Sequence, residues 1–191
     1  MKARLIKVAT VTSFLLAALP NPLKAAEFQI DPSHSFVEFS IKHLGYSVLK
    51  GRFNTLSGSF SYDEKSPNAS KISVKVETGS IDSNHAERDK HLRGTDFLSV
   101  GSFPVARFVS TAIQEKDGVA KVDGQLTLHG VTRPVSFDAK LIGAGSDPWG
   151  GYRRGYEGAL TITRSDYGMD YNLGPASTSL TLGLFIEGIR Q

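Results

Sequence analysis

Residues 83–94, SNHAERDKHLRG, hold the densest set of groups able to do chemistry in this 191-residue chain. His85, Glu87, Asp89 and His91 are all of metal-ligating type. On a helix of 3.6 residues per turn, however, six positions carry His91 about 120° away from His85, so the two rings do not share a face. A paired-histidine metal site needs them four apart. His85 and Asp89 have that spacing but lack a third ligand nearby, and no metal site is assigned. The same residues read more simply as a helix start and stop. Asn84 is a good N-cap with Glu87 three positions on, and Gly94 suits the position after the last turn. Glu87 with His91, and Asp89 with Arg93, stand at the spacing for weak pairs. The stretch predicts a helix of about ten residues with its charges in water, its ends set by these capping signals. Phe97, Leu98 and Phe103, which follow, are expected to seat it over one end of the fold.

Other candidate groups are isolated. His43 shares its alternation with Val37, Phe39 and Ile41, and suits either a satisfied core histidine or a single hydrogen bond to a ligand head group. Arg164 follows Leu160 and Ile162 on one parity, and suits either a rim charge or an anchor for an anionic head. Arg153 and Arg154 lie beside Trp149 and Tyr152 in 145–155, the longest loop-like stretch. They suit either a phosphate or carbonyl contact at the mouth of the fold or an exposed loop with one aromatic anchor. There is no nucleophile elbow, P-loop or dinucleotide fingerprint, and Ser, His and Asp form no local pattern. No catalytic residue is assigned. The absence of cysteine removes thiolate and iron–sulfur chemistry and any disulfide framework.

The elements that must position these groups are strands. Apolar residues recur every second position in 35–44, 51–63, 71–80, 106–114, 120–130, 133–143, 155–166 and 178–189. Phe53 and the pair Leu56 and Phe60 fall on opposite parities, which a bulge or bend at Asn54–Thr55 reconciles. Lys116–Gly118 and Gly130–Thr132 read as tight connections. No helix is long enough to cross between parallel strands, so the sheet is predicted antiparallel. Eight long strands in one cysteine-free domain point to closure as a barrel, which removes the edges, with a two-sheet sandwich as the rival.

The N-terminus reads separately. Lys2, Arg4 and Lys7 precede an apolar run from Val8 to Leu19, and small residues follow at Ala25 and Ala26. That order is a secretory signal peptide, with an apolar run shorter than the ~20 residues that span a bilayer. Cleavage is predicted after Ala25, giving a leader over 1–25 and one domain over 26–191, with the periplasm as destination. Without the leader's four cations the 22 basic residues fall just below the 19 acidic ones. The basic pI therefore belongs largely to the leader, and nucleic acid is not an expected partner.

Five segments, FSIKHLGYS (39–47), NHAERDKHLR (84–93), LTLHGVTRPV (126–135), DPWGGYRRGYE (147–157) and LGPAS (173–177), occur in the order seen in the YceI-like proteins. The chain resembles that periplasmic polyisoprenoid-binding family over its whole mature length. The resemblance implies an extended, lipocalin-like antiparallel barrel capped at one end by the short helix. It also implies a long isoprenoid ligand, such as a quinone tail or polyprenyl lipid, no enzymatic activity, no cofactor, and a setting in stress responses.

Alternation agrees, because it supplies apolar walls. Val37, Phe39, Ile41, Phe53 and Phe60 come from the first half of the sheet, Val74, Val76 and Phe108 from its middle. Leu126, Leu128, Phe137, Leu160, Ile162, Leu182 and Leu184 come from the second half. These fifteen are the predicted apolar pocket or core, with His43 and Arg164 as polar contacts to the head. The expected partner is an isoprenoid lipid, with transient membrane contact and no spanning segment. Two alternatives stand beside this reading: an enzyme acting on a lipid or quinone, with His43 in acid–base work, and a packed structural stress protein without ligand.

Overall fold

The computed structural model describes residues 25–191. Of the predicted leader over 1–25, residues 1–24 lie outside the described residues.

Eleven strands act as eight, because three long strands are each broken once. β1 (Ala26–Ile30) and β2 (Phe36–His43) follow one another along one edge of β11 (Ser179–Arg190), β1 facing Gly188–Arg190 and β2 facing Leu180–Phe185. β3 (Ser47–Phe53) and β4 (Leu56–Tyr62) break at Asn54–Thr55, where the parity of the sequence predicted a bend. β5 (Ile72–Glu77) and β6 (Ile81–Asp82) break at a 3-10 turn, Thr78–Ser80. β7 (Val105–Lys116), β8 (Val119–Leu128), β9 (Val131–Ser146) and β10 (Tyr152–Thr163) form an uninterrupted meander into β11. The ring runs β1–β4–β5–β7–β8–β9–β10–β11 and closes where β11 pairs with β1, every pairing antiparallel. The fold is therefore a closed barrel, and the sandwich alternative is excluded.

Local chemistry explains the joints. The β7–β8 and β8–β9 hairpins each turn on two residues with positive φ, Asp117–Gly118 and His129–Gly130. That backbone matches the strand twist, and the second tight connection begins one residue earlier than the sequence predicted. Where β1 breaks from β2, the ladder to β11 would lose its partners. The fully buried Ser35 hydroxyl fills the gap, donating to the Glu187 carbonyl (3.2 Å) and accepting from the Glu187 N–H (3.0 Å), while the Asp31 N–H reaches the same carbonyl (2.8 Å).

Two sequence readings need correction. β1 was not anticipated, although Phe28 and Ile30 are each only 2% exposed; five residues abutting a leader carry too short an alternation to stand out. The supposed loop 145–155 is mostly strand: β9 runs to Ser146, β10 starts at Tyr152, and only 147–151 turns. Asp147 makes that turn by accepting the N–H groups of Trp149 (3.0 Å) and Gly151 (2.8 Å), so glycine-rich composition concealed a hairpin. The longer connections are 83–104, which holds α1 (Ala86–Leu92), and 164–178.

Arg153 latches the seam from outside. Its guanidinium donates to Asp31 (2.8 Å), Asp147 (2.9 Å) and Glu187, joining the end of β1, the β9–β10 turn and β11. It also lies 5.5 Å from the exposed Trp149 ring. Asp31, His34 and Glu187 cluster closely enough to hold a cation, and the cation they surround is this guanidinium. The His34 ring, then Arg153, hydrogen-bond the Asp31 carboxylate and hold its pKa well below the usual carboxylate range. A carboxyl whose folded pKa is depressed stabilises the fold above its unfolded value of about 3.9, and this contribution fades as pH falls through the folded value. Urea titrations across pH should therefore show wild-type stability dropping below about pH 4. Asp31→Asn should be less stable at neutral pH and should show a flatter acid limb.

Candidate functional site

The barrel is hollow. A single bore of about 860 Å³ runs from a polar floor, near the end where β1 starts, to a mouth beneath α1 and the 164–178 segment. Along β10 and one residue beyond it, the eight steps from Tyr156 at the floor to Arg164 at the mouth cover about 26 Å at ~3.3 Å each. A water molecule's share of liquid is ~30 Å³, so the bore has room for on the order of 30 groups of that size. All fifteen apolar residues predicted from alternation line it. A solidly packed structural barrel is thereby excluded.

The bore stays open because of how its large rings lie. Ideal Cβ positions at Gly51 and Gly124 fall 2.5 Å and 2.4 Å from the rings of Phe39 and Phe108. Phe39 faces Gly51 directly across the β2–β3 ladder, and Phe108 lies beside Gly124 across β7–β8. Gly188 does the same for Phe60, 2.5 Å from its ring. The rings of Phe39 and Phe108 fold back onto bare backbone of the neighbouring strand, and that of Phe60 reaches past β1 to β11, instead of standing across the lumen. Phe39 and Phe53 then meet at 6.1 Å, and Phe108 and Phe137 at 5.4 Å, as tilted pairs along the wall.

The mouth differs from its sequence reading. His43 ends β2 at the mouth and is exposed; its alternation is inward, but it projects past the rim. Arg164 is buried and follows the last residue of β10. Its guanidinium donates to the carbonyls of Ser177 (2.8 Å), Met169 (3.0 Å) and Tyr171 (3.1 Å). Burial pulls its pKa down from the ordinary value. Three carbonyls occupy its donors, so Arg164 folds the 164–178 segment and has little left for an anionic ligand.

The charged helix also departs from expectation. It covers seven residues, and its N-cap is His85, whose ring accepts the Arg88 N–H (3.2 Å). Asn84 instead adopts a left-handed φ of 60°, its N–H held by Asp82 (2.8 Å). The charges do not all face water. Buried Asp89 accepts from both the N–H and hydroxyl of Ser83, and Arg88 bonds Ser83 as well. Arg93 donates to the carbonyls of Gly79 (2.8 Å) and Ile81. These contacts replace the expected pairs along the helix and fasten it to the break between β5 and β6. Phe97 and Leu98 are buried against the bore, as predicted, and Phe103 packs edge-on against His129. His91, bonded to Asp96 (2.9 Å), meets Phe97 and Tyr171 edge-on at 5.0 and 5.3 Å, so helix and loop touch across the mouth.

The floor was not anticipated. Tyr62, Ser70, Glu115 and Tyr156 line it, with buried Arg154 behind them. Arg154 sits 3.5 Å over the Tyr62 ring and donates to the Tyr156 hydroxyl. Glu115 accepts from the Tyr62 hydroxyl (3.2 Å) and lies 3.7 Å from Arg154. Burial raises the pKa of both phenols, keeping them neutral donors. Tyr156 falls in the alternation read over 155–166, with Leu160 and Ile162; counting back one further step along β10 places Arg154 inside as well, and the loop reading of 145–155 stopped short of it.

Comparison with known proteins agrees with this architecture. The family model described as a YceI-like domain matches residues 28–187. A UPF0312 protein of Pseudomonas paraeruginosa is 55% identical over 169 residues, covering 87% of this chain and 88% of its own. A UPF0312 protein of Shewanella sp. strain MR-7 is 48% identical over the full length of both. Among solved structures, the Campylobacter jejuni YceI protein superposes with a TM-score of 0.70 at 26% identity, over 79% of this chain and 90% of that one. A polyisoprenoid binding domain from Saccharophagus degradans gives 0.66 at 16% identity, over 88% and 100%, a likeness of fold.

The glycine contacts yield a direct test. A methyl group at position 124 would stand 2.4 Å from the Phe108 ring and 2.6 Å from the Val109 carbonyl oxygen. Gly124→Ala should therefore push that ring into the lumen. It should lower stability by about 1–3 kcal/mol in urea unfolding and reduce uptake of an apolar fluorescent dye. Gly143→Ala, where nothing lies within 4 Å, should change stability by no more than about 0.5 kcal/mol.

Proposed function

Since this chain belongs to the YceI-like family, we propose that its barrel binds one long isoprenoid chain, of the quinone or polyprenyl type, and carries or stores it in the periplasm, in the setting of a stress response. The observation that carries this reading is the continuous apolar bore of about 860 Å³. A hydrocarbon tail is insoluble in water, and each CH₂ moved into apolar surroundings contributes about 0.8 kcal/mol. Association costs on the order of 4–15 kcal/mol in lost freedom. Some twenty buried carbons are enough to exceed that cost without any polar contact, on the order of 16 kcal/mol gross.

We read the barrel as a binding protein rather than an enzyme. Arg154 and Glu115 at one end of the bore and Arg164 at the other are engaged with the protein itself, and the walls between them are hydrocarbon. The periplasmic destination rests on the basic start and apolar run of the leader. Among the described residues no helix is long and apolar enough to cross a membrane.

Loading from a membrane fits the rim. The β2–β3 hairpin exposes Leu44 (56%), Tyr46 (88%) and Val48 (58%) beside the mouth. Leu44 holds a left-handed φ of 51°, uncommon for a bulky residue, and sits next to Gly45. Lys42 and Lys50 flank this apolar tip, a pattern suited to an anionic lipid surface.

Two measurements test these proposals. Protein purified from the periplasm and extracted with organic solvent should yield, by mass spectrometry, an isoprenoid lipid near one per barrel. An empty preparation that also fails to take up added polyprenyl chains would end the binding reading. Separately, wild-type protein should sediment with vesicles containing phosphatidylglycerol. The double variant Leu44→Ser, Tyr46→Ser should bind them at least about tenfold more weakly, given ~1.5–3 kcal/mol for a buried leucine. A wild-type protein that ignores such vesicles would remove membrane contact from the proposal.

A further inference from the structure

We propose that the floor of the bore is a subsite for a small, uncharged, oxygen-bearing head group (a quinone carbonyl, phenol or alcohol), so that the cargo enters head first and its tail points to the mouth. This rests on the reading of the barrel as an isoprenoid binder and adds the chemistry and orientation of the head.

Two hydroxyls carry the argument. Ser70 lines the bore, and its hydroxyl is buried and without a hydrogen-bond partner among the described residues. A buried orphan of this kind is costly, and a polar partner from a ligand would relieve it. The Tyr156 hydroxyl accepts from Arg154, and among the described residues it donates to no protein group, which leaves its proton free for an incoming acceptor. Ser70 and the Tyr62–Glu115–Arg154–Tyr156 chain belong to the same end. Phe60 pairs with Ile72 across β4–β5, and continuing that register sets Ser70 opposite Tyr62. Two hydroxyls with unused donor capacity thus lie at the far end of a tunnel whose wall between floor and mouth is hydrocarbon.

Charge selects against an ionic head. Arg154 is already matched by Glu115 at 3.7 Å and by the Tyr62 ring, so the floor as a whole is near neutral. A diphosphate reaching it would have to cross the apolar bore without water and would then meet a carboxylate. At the mouth, three of the five guanidinium N–H groups of Arg164 are taken by backbone carbonyls, and the other cations there, Lys42 and Arg88, lie a bore's length from the floor. A neutral oxygen faces neither obstacle.

The test compares probes that share one isoprenoid chain: geranylgeraniol, the matching prenylated benzoquinone, geranylgeranyl diphosphate and the parent hydrocarbon. Binding is measured by calorimetry on delipidated protein. Alcohol and quinone should bind about tenfold tighter than the hydrocarbon, the worth of one or two neutral hydrogen bonds, and the diphosphate should gain nothing. In Tyr156→Phe, and independently in Ser70→Ala, the ratio of quinone to hydrocarbon affinity should fall toward one, with thermal unfolding checking that each variant is folded. If the hydrocarbon binds as well as the quinone, if the diphosphate binds best, or if the advantage survives both substitutions, the floor subsite is overturned and the binding reading stands. If no probe binds, the hydrocarbon included, the binding reading itself falls and the subsite with it.

Discussion

A hollow barrel lacks the packed centre from which most domains draw their stability, so everything depends on an unbroken hydrogen-bonded wall. The weakest place in that wall is the seam between the first and last strands. β11 must pair along one edge with two separate segments, β1 and β2, and the chain leaves the ladder between them. Ser35 repairs the gap with a single hydroxyl that satisfies both backbone groups of Glu187. A serine suits this place because one oxygen can donate and accept at once. The Arg153 latch on the outside and the stacked Phe28–Phe60 pair (4.9 Å) on the inside clamp the same joint. Closure therefore rests on local polar chemistry backed by aromatic packing at one end, and the middle of the barrel is left free.

That division of labour organises the molecule. Apolar contacts gather at the wall and the two ends, and glycines opposite the inward phenylalanines keep the lumen clear. Large side chains can therefore make the wall greasy without filling the space it encloses. A ring lying over a glycine gains contact with the neighbouring backbone and gives its other face to the bore. The apolar surface that a packed barrel would bury against itself is thus available to a guest chain.

The wall was legible in the sequence because a two-residue period fixes which side chains point inward, and every apolar residue assigned on that basis lines the bore. Even the break at Asn54–Thr55 follows from the parity change between Phe53 and Leu56. The ends were not legible in the same way. They depend on which backbone carbonyls a long side chain can reach, and alternation says nothing about that. Arg164 has the expected parity, yet its role is set by Ser177, Met169 and Tyr171 in a segment with no period at all. Asp89 and Arg93 have the spacing of a helical pair, yet each finds a partner in the chain before the helix. The floor was missed for a different reason: glycines around Arg153 and Arg154 suggested a loop, and the strand phase was not carried through them.

Seen along β10, the inward stripe is Arg154, Tyr156, Gly158, Leu160, Ile162 and Arg164, with an arginine at each end and hydrocarbon between. Both arginines are engaged by the protein's own groups. One is held by Glu115, Tyr62 and Tyr156, the other by three carbonyls. Each instead fixes a boundary: Arg154 closes the floor, and Arg164 holds the segment that frames the mouth. The length of the apolar stripe is therefore set by two residues that the protein itself holds in place. On the proposed reading, selection falls to how much hydrocarbon the bore accommodates and to whether the leading end of the guest can hydrogen-bond at the floor.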